Sequence, residues 1–293
     1  MYYRRKVVLA LLQQFGGTLP KISLQKLLLL FTQRQQQAVY DFIPYQYGSY
    51  SYSLSADLYA MSKKNFIRDE ETSITNIDSK NYFDTLTEQD KNILRGIYRE
   101  FSGWDNQQLM YHTYTHLPYY AINSTAKNIL SKEELQRVEE SRNTDTSTVL
   151  FTIGYEGVSL ETYLNKLIKN NIKALIDVRR NPLSMKFGFS KNQLVKYCEN
   201  LGIKYIHIPE VGIASEQRQT LKTQEDYDKL FEVYKKETLT ATQKEQAIIL
   251  SLLEQYNRIA LTCFEADICQ CHRTPLSNSI ASLEGFKYTV KHI

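Results

Sequence analysis

KALIDVRRNPLSMKFGFSKNQLVKYCENLGIKYIHIP (residues 173–209) holds three segments of different period in a row. "KALIDV" is a short apolar run of strand length. "SKNQLVKYCENLG" spaces its apolar residues as a helix does, with Ser190 as N-cap and Gly202 as stop. "KYIHIP" is strand-like again. A strand, a helix and a second strand in succession predict a crossover unit, and so a parallel sheet.

Reading outward extends the pattern. Upstream lie a buried-strand run, "TVLFTIG", and an amphipathic helix, "SLETYLNKLIKNN". Downstream lie helical stretches at about 225–236 and 240–255, a strand "RIALTCF", a helix "TPLSNSIASL" and a strand "KYTVKHI". The expected class is α/β, with a mainly parallel sheet covered by helices on both faces over residues 147–293. A polar stretch, Asn-Thr-Asp-Thr-Ser-Thr, precedes the first strand and is the expected domain boundary.

Residues 1–146 read as mostly helical. Residues 3–15 form an amphipathic pattern. In "ISLQKLLLLFTQRQQ", Ser23 can cap a helix whose Leu24, Leu27, Leu28 and Phe31 share a face. An aromatic-rich segment with a Tyr-Gly turn follows, then a third helix and a strand-like "NFI". This order is winged-helix-like; a plain helical bundle fits the pattern as well.

Composition bounds the function. The chain has 293 residues and a net charge of +4, spread almost evenly over its halves, so no strong polyanion footprint stands out. No apolar run approaches the roughly 18 residues of a membrane span, so no membrane partner is expected. The N-terminal "MYYRRKVVLALLQQFGG" resembles a signal peptide only superficially and reads as a helix. Four cysteines, three of them crowded into 263–271, do not make a disulfide framework, and a reducing, cytoplasmic location is expected.

Ligands of parallel α/β sheets bind beyond the carboxyl ends of the strands. The unusual residues fall there. Tyr155 and Glu156 follow the first strand; Asp177, Arg179, Arg180, Lys186, Phe189 and Lys191 the second; Glu210 the third; Cys263, Glu265, Cys271, His272 and Arg273 the fourth. The opposite ends carry ordinary polar residues. Glu156, Asp177 and Glu265 are candidate acid–base groups, with Glu156 and Glu265 a pair if their strands are adjacent. Asp177 can equally anchor Arg179 or Arg180. Cys271 and His272, at a helix start where the dipole favours anions and lowers thiol pKa, are candidate catalytic groups, and Cys263 is a candidate nucleophile or a small buried hydrophobe. Arg179, Arg180, Lys186, Lys191 and Arg273 are candidate phosphate ligands. Cys269, Cys271 and His272 lack the paired spacing of a zinc site, so no metal or other cofactor is expected. Cys198 and His207 read as packing residues.

At these motifs the second half resembles the family called domain of unknown function 488. The motifs are "TIGYEG", "LIDVRRNPLSMKFGFSK", "GIKYIHIPEVG" and "LTCFEADICQCHR", over about residues 149–293. The resemblance implies that Tyr155, Glu156, Asp177, Arg179, Phe189, Lys191, Cys263, Glu265, Cys271, His272 and Arg273 are motif positions. A proline usual before Cys-His-Arg is replaced here by Ile268 and Cys269. The family name implies an α/β domain with an unassigned pocket and no stated reaction. Residues 1–75 resemble the Panacea and SocA-type antitoxin domain, which implies a protein-binding or DNA-binding module and a setting in toxin control or phage defence.

Three functions remain open on the sequence. One is an enzyme or binder acting on a nucleotide or nucleic acid through the strand-end pocket, with a possible protein partner for the first half. The second is a non-enzymatic regulatory module. The third is rhodanese-like sulfur transfer, suggested by "ALIDVR". Against the third, no Cys opens a five-residue loop closed by Arg, since the residue six before Arg273 is Asp267.

Overall fold

The computed structural model describes residues 1–214, 217 and 221–293. They divide into two compact units, Met1–Arg142 and Asn143–Ile293.

In the first unit, α1 (Tyr3–Gln14), β1 (Thr18–Pro20), α2 (Lys21–Thr32), a hairpin of β2 (Ile43–Tyr45) and β3 (Gly48–Tyr50), α3 (Tyr52–Ser62), β4 (Ile67–Asp69) and β5 (Ser73–Asn76) are followed by three helices. These are α4 (Glu88–Phe101), α5 (Asn106–His116) and α6 (Lys132–Glu140). Strands β1, β5 and β4 form a three-stranded antiparallel sheet in that order.

The first two helices are more buried than an amphipathic reading allows. Val7 to Leu12 are all buried in α1, and Ser23 to Thr32 are all buried in α2. Helix α2 packs against β1, β3, α4 and α5, and a helix surrounded on all sides is apolar on all sides. Ser23 is not its cap. Pro20 occupies that position, and the Ser23 hydroxyl donates to Asn106 at 2.7 Å. Lys26 of α2 is buried with no carboxylate beside it; its ammonium donates to the carbonyls of Tyr47 and Ser49. Burial lowers its pKa to about 7.

The second unit runs β6 (Val149–Gly154), α7 (Leu160–Lys169), β7 (Ala174–Asp177), α8 (Lys191–Asn200), β8 (Lys204–His207), α9 (Gln224–Tyr234), α10 (Gln243–Tyr256), β9 (Arg258–Cys263), α11 (Arg273–Ala281) and β10 (Thr289–His292). The five strands make one parallel sheet in the order β10-β6-β9-β7-β8. Its three central strands are buried along nearly their whole length, which is why they read as continuous apolar runs. The edge strands carry exposed Lys204 and Lys291, charges that discourage edge pairing.

Alternate residues face opposite layers. Leu150, Ala174, Ile176, Ile259 and Leu261 pack with Phe231 of α9, Ile249 and Leu253 of α10, and Leu276 and Ile280 of α11. On the other face, Tyr163 of α7 donates to Thr262 at 2.8 Å, and its ring meets Phe189 just before α8. Ser159 caps α7 by accepting from the Thr162 N–H at 3.0 Å. Ser190 stands at the N-cap position of α8 but does not cap it, because its hydroxyl spans the backbone N–H and carbonyl of Ser184 instead. Helix α8 ends at Gly202, with φ +70°. The Ile203 N–H returns to Cys198 O at 2.9 Å and the Gly202 N–H to Glu199 O at 3.0 Å.

This order creates a switch point. From β7 the chain passes through α8 to the neighbouring β8. From β9 it passes through α11 and over β6 to β10. Adjacent strands β7 and β9 therefore send their chains apart, and the crevice between them is where such sheets hold ligands. Among the described residues, no helix is long and apolar enough to cross a membrane.

Candidate functional site

Strand β7 ends in a closed ionic knot. Asp177, fully buried, takes both forks of Arg179: Nε donates to Oδ1 at 2.8 Å and Nη2 to Oδ2 at 2.5 Å. The Arg179 backbone N–H and the Tyr205 hydroxyl donate to the same carboxylate. The second edge of the guanidinium donates to the Tyr155 hydroxyl and to Phe189 O, both at 2.8 Å. Tyr155 stacks on Phe189 with ring centroids 4.2 Å apart. Burial would push the Arg179 pKa down; the hydrogen bonds and charge of Asp177 override it and hold the value well above the ordinary one. The turn is thus tied together by its own residues, carboxylate, guanidinium and phenol bonding one another.

Strand β9 ends differently. The Cys263 and Cys271 thiols both donate to one Glu265 carboxylate oxygen, at 3.0 and 3.2 Å. His272 places Nδ1 3.5 Å from Cys263 Sγ and Nε2 3.2 Å from Val178 O. A carbonyl can only accept, so Nε2 carries a proton, and Nδ1 faces the sulfur. Arg273, 2% exposed, donates from Nε to Cys271 Sγ at 2.9 Å and from Nη2 to Glu265 O at 2.6 Å. No bond to a carboxylate joins these. The close path of Glu265 past β6 explains Gly154, where a β-carbon would overlap the Glu265 backbone carbonyl.

Cys263, Glu265, Cys271 and His272 offer four donor atoms within 4.8 Å of one another, a set that can hold a metal ion. The cysteine brought into this group is Cys263 from the strand, not the exposed Cys269 that the sequence placed beside Cys271.

Beside the crevice lies a pocket of about 280 Å³ lined by Tyr155, Arg179, Arg180, Asn181, Leu183, Ser184, Met185, Ile213, Cys263 and Phe264. Leu183, Met185 and Phe264 are exposed. Arg180 is also exposed and makes one long hydrogen bond, 3.5 Å to Pro209 O.

Several expected roles change. Arg179 and Arg273 make their hydrogen bonds inside the protein, one to Asp177 and one to Cys271. Lys186 donates to Tyr155 O at 2.6 Å, and burial lowers its pKa, against the opposing charge of Glu156. Lys191 bonds His207 Nδ1 at 3.1 Å, and His207 Nε2 in turn reaches Arg179 O, so His207 braces the turn. Glu156 accepts from the Ala266 N–H at 3.1 Å, whereas Glu265 accepts from the thiols; the two follow neighbouring strands. Cys271 is buried. Burial raises its thiol pKa well above the ordinary value, with the Cys263 contact adding and Arg273 opposing, so it is not a ready nucleophile. The opposite strand ends are not merely polar either. Buried Arg258 opens β9 and pairs with Asp145 at 2.9 Å.

Sequence reasoning missed Tyr205, Val178 O, Asn181, Leu183, Met185 and Phe264. Tyr205 carried a signal: it lies two residues before His207, which the register sets opposite Asp177. The rim residues carried none, because an exposed apolar residue in a loop reads as ordinary surface.

Residues 159–280 match the sequence profile of the family described as Domain of unknown function DUF488. The match takes in the ends of β7 and β9 and stops short of Tyr155 and Glu156. No curated protein matches the chain.

Proposed function

We propose that the second unit binds a small ligand of nucleoside monophosphate type in the crevice between β7 and β9. Arg180 carries this reading. It is an exposed cation lining a pocket at the switch point and, among the described residues, makes one bond at the limit of hydrogen-bond length. Asn181 beside it can donate to the same anion, while Leu183, Met185 and Phe264 offer an apolar wall for a flat base. The volume suits a mononucleotide better than a dinucleotide.

Binding is favoured over turnover. The pocket lining does not include Glu156, Asp177 or Glu265, and each of these carboxylates is engaged elsewhere. Sulfur transfer is disfavoured because Cys271 is fully buried behind Glu265 and Arg273. Titration of the full chain with nucleoside mono-, di- and triphosphates tests the reading. Saturable binding that weakens about tenfold or more in Arg180→Ala supports it, the loss expected for one charge-assisted contact. Absence of saturable binding by any nucleotide refutes it.

For the first unit we infer a winged-helix-type module that docks a protein. The order α1–β1–α2–β2–β3–α3–β4–β5, with β2–β3 a separate hairpin and a sheet in the order β1-β5-β4, supports the fold reading. The hairpin between β4 and β5 carries Asp69, Glu70 and Glu71, an acidic tip ill suited to a phosphate backbone. This favours a protein partner over DNA and fits the antitoxin-like resemblance. A salt series with labelled duplex DNA is expected to give no salt-sensitive binding; tight binding at low salt would reverse the choice.

A further inference from the structure

The geometry points to a tetrahedral zinc-type centre formed by Cys263 Sγ, Cys271 Sγ, His272 Nδ1 and a Glu265 carboxylate oxygen. It would tie the end of β9 to the start of α11 beside the pocket.

The first ground is the donor set. Two thiols, an imidazole and a carboxylate suit zinc, and the set is unlike the hard, all-oxygen cages that calcium and magnesium take. The ligands come as Cys-x-Glu and Cys-His from two elements joined by a short loop, a spacing unlike paired cysteine knuckles, and only the fold unites them.

The second ground is distance. Bonds of about 2.0–2.3 Å place tetrahedral ligands about 3.3–3.8 Å apart. The pairs Cys263–Glu265, Cys271–Glu265 and Cys263–His272 stand at 3.0, 3.2 and 3.5 Å. All four donor atoms fall within 4.8 Å, so shifts well under a rotamer change would close the shell.

The third ground is independent of the donors and lies in their support. A metal-bound histidine commonly gives its other ring N–H to a carbonyl or carboxylate, which fixes the ring and the tautomer. His272 does this with Val178 O at 3.2 Å, leaving Nδ1 directed into the cluster. A metal-bound thiolate is stabilised by outer donors, and the buried Arg273 gives Nε–H to Cys271 Sγ at 2.9 Å. Loading a divalent ion displaces two thiol protons, so the charge of the cluster together with Arg273 is the same before and after. Four protein ligands leave no open position, which makes the centre structural. It stands whether or not the pocket binds nucleotides.

The full chain, prepared under reducing conditions, is stripped with a chelator and reloaded with Co²⁺. The expected result is about one ion per chain, intense visible bands of tetrahedral cobalt and a near-ultraviolet thiolate-to-cobalt band. Zinc should displace the colour. The same signals are expected in Cys269→Ser and Cys198→Ser, and should be lost in Cys271→Ser. Arg273→Lys should keep the bands with metal affinity about 10–100-fold lower, the usual effect of losing an outer-shell partner. Wild-type protein that takes up no stoichiometric Co²⁺ or Zn²⁺ would overturn the proposal without reliance on any variant. So would a Cys263–Cys271 disulfide forming in place of metal uptake, or loss of the bands in Cys269→Ser.

Discussion

Arg179 and Arg273 are both buried, both follow a central strand of one sheet, and both belong to motifs of charged residues, yet their surroundings differ in kind. Arg179 is closed off by a bidentate carboxylate, a phenol and a carbonyl. Arg273 faces a sulfur and a carbonyl, with the one nearby carboxylate turned to two thiols. The end of β7 is a finished ion pair; the end of β9 is an arrangement that a cation can complete. Lys26, in the other unit, is a third case, a buried ammonium held by two carbonyls and the Ser49 hydroxyl. Proximity of an arginine to a strand end therefore says little about phosphate binding until its partners are known.

Breaking the ion pair tests the first half of this contrast most severely. Asp177→Asn leaves Arg179 buried without a counter-charge and is expected to lower unfolding free energy by about 3–5 kcal/mol, measured by urea denaturation. A loss under 1 kcal/mol would mean that the knot is not the closed element described. Next in size is Gly154→Ala. Its methyl would displace the Glu265 carbonyl that receives Arg273, at a cost of about 1–3 kcal/mol, and should disturb β9 chemistry while leaving the Asp177–Arg179 pair intact. Unchanged stability would show that the β9 turn moves freely.

Lys26 offers a pH test. Its folded pKa, about 7, lies below the ordinary 10.5. Between those values the unfolded chain holds a proton that the folded chain has released, so stability should rise with pH by at most about 1.4 kcal/mol per unit. Below pH 7 both states are protonated and this contribution levels off. Denaturation midpoints followed across that window should lose this slope in Lys26→Met; an identical slope in the variant would exclude Lys26 as its source. Smallest in stability is Arg180→Ala, within about 0.5 kcal/mol of wild type by thermal unfolding, because its side chain is exposed. The same substitution carries the largest expected effect on nucleotide affinity, and that inversion separates a ligand residue from a scaffold residue.

The apolar runs at 149–154, 174–177 and 258–263 announced central strands because burial on both faces leaves no room for alternation. Gly202 announced a helix end through local backbone chemistry. Ser23 and Ser190 failed as caps because other partners, Asn106 and Ser184, captured their hydroxyls. At the site, the same rule expected ligand chemistry at the carboxyl ends of the strands but could not say how each side chain is partnered. Arg179 and Arg180 are adjacent and of one type, yet one is buried against Asp177 and the other is exposed.

What the sequence by itself determined is periodic and local: a helical first half, a parallel α/β second half, and chemistry gathered at the carboxyl ends of its strands. Tertiary structure alone decided the partners. Insertion of β9 between β6 and β7 brings Cys263 and Glu265 to Cys271 and His272, sets Val178 O against the imidazole, and forces Gly154 against Glu265. Strand order and register are long-range quantities fixed by the packing of whole layers. No spacing along the chain encodes them, and for that reason the neighbour of Cys271, eight residues upstream in a strand, could not be told from the exposed Cys269 nearer to it in sequence.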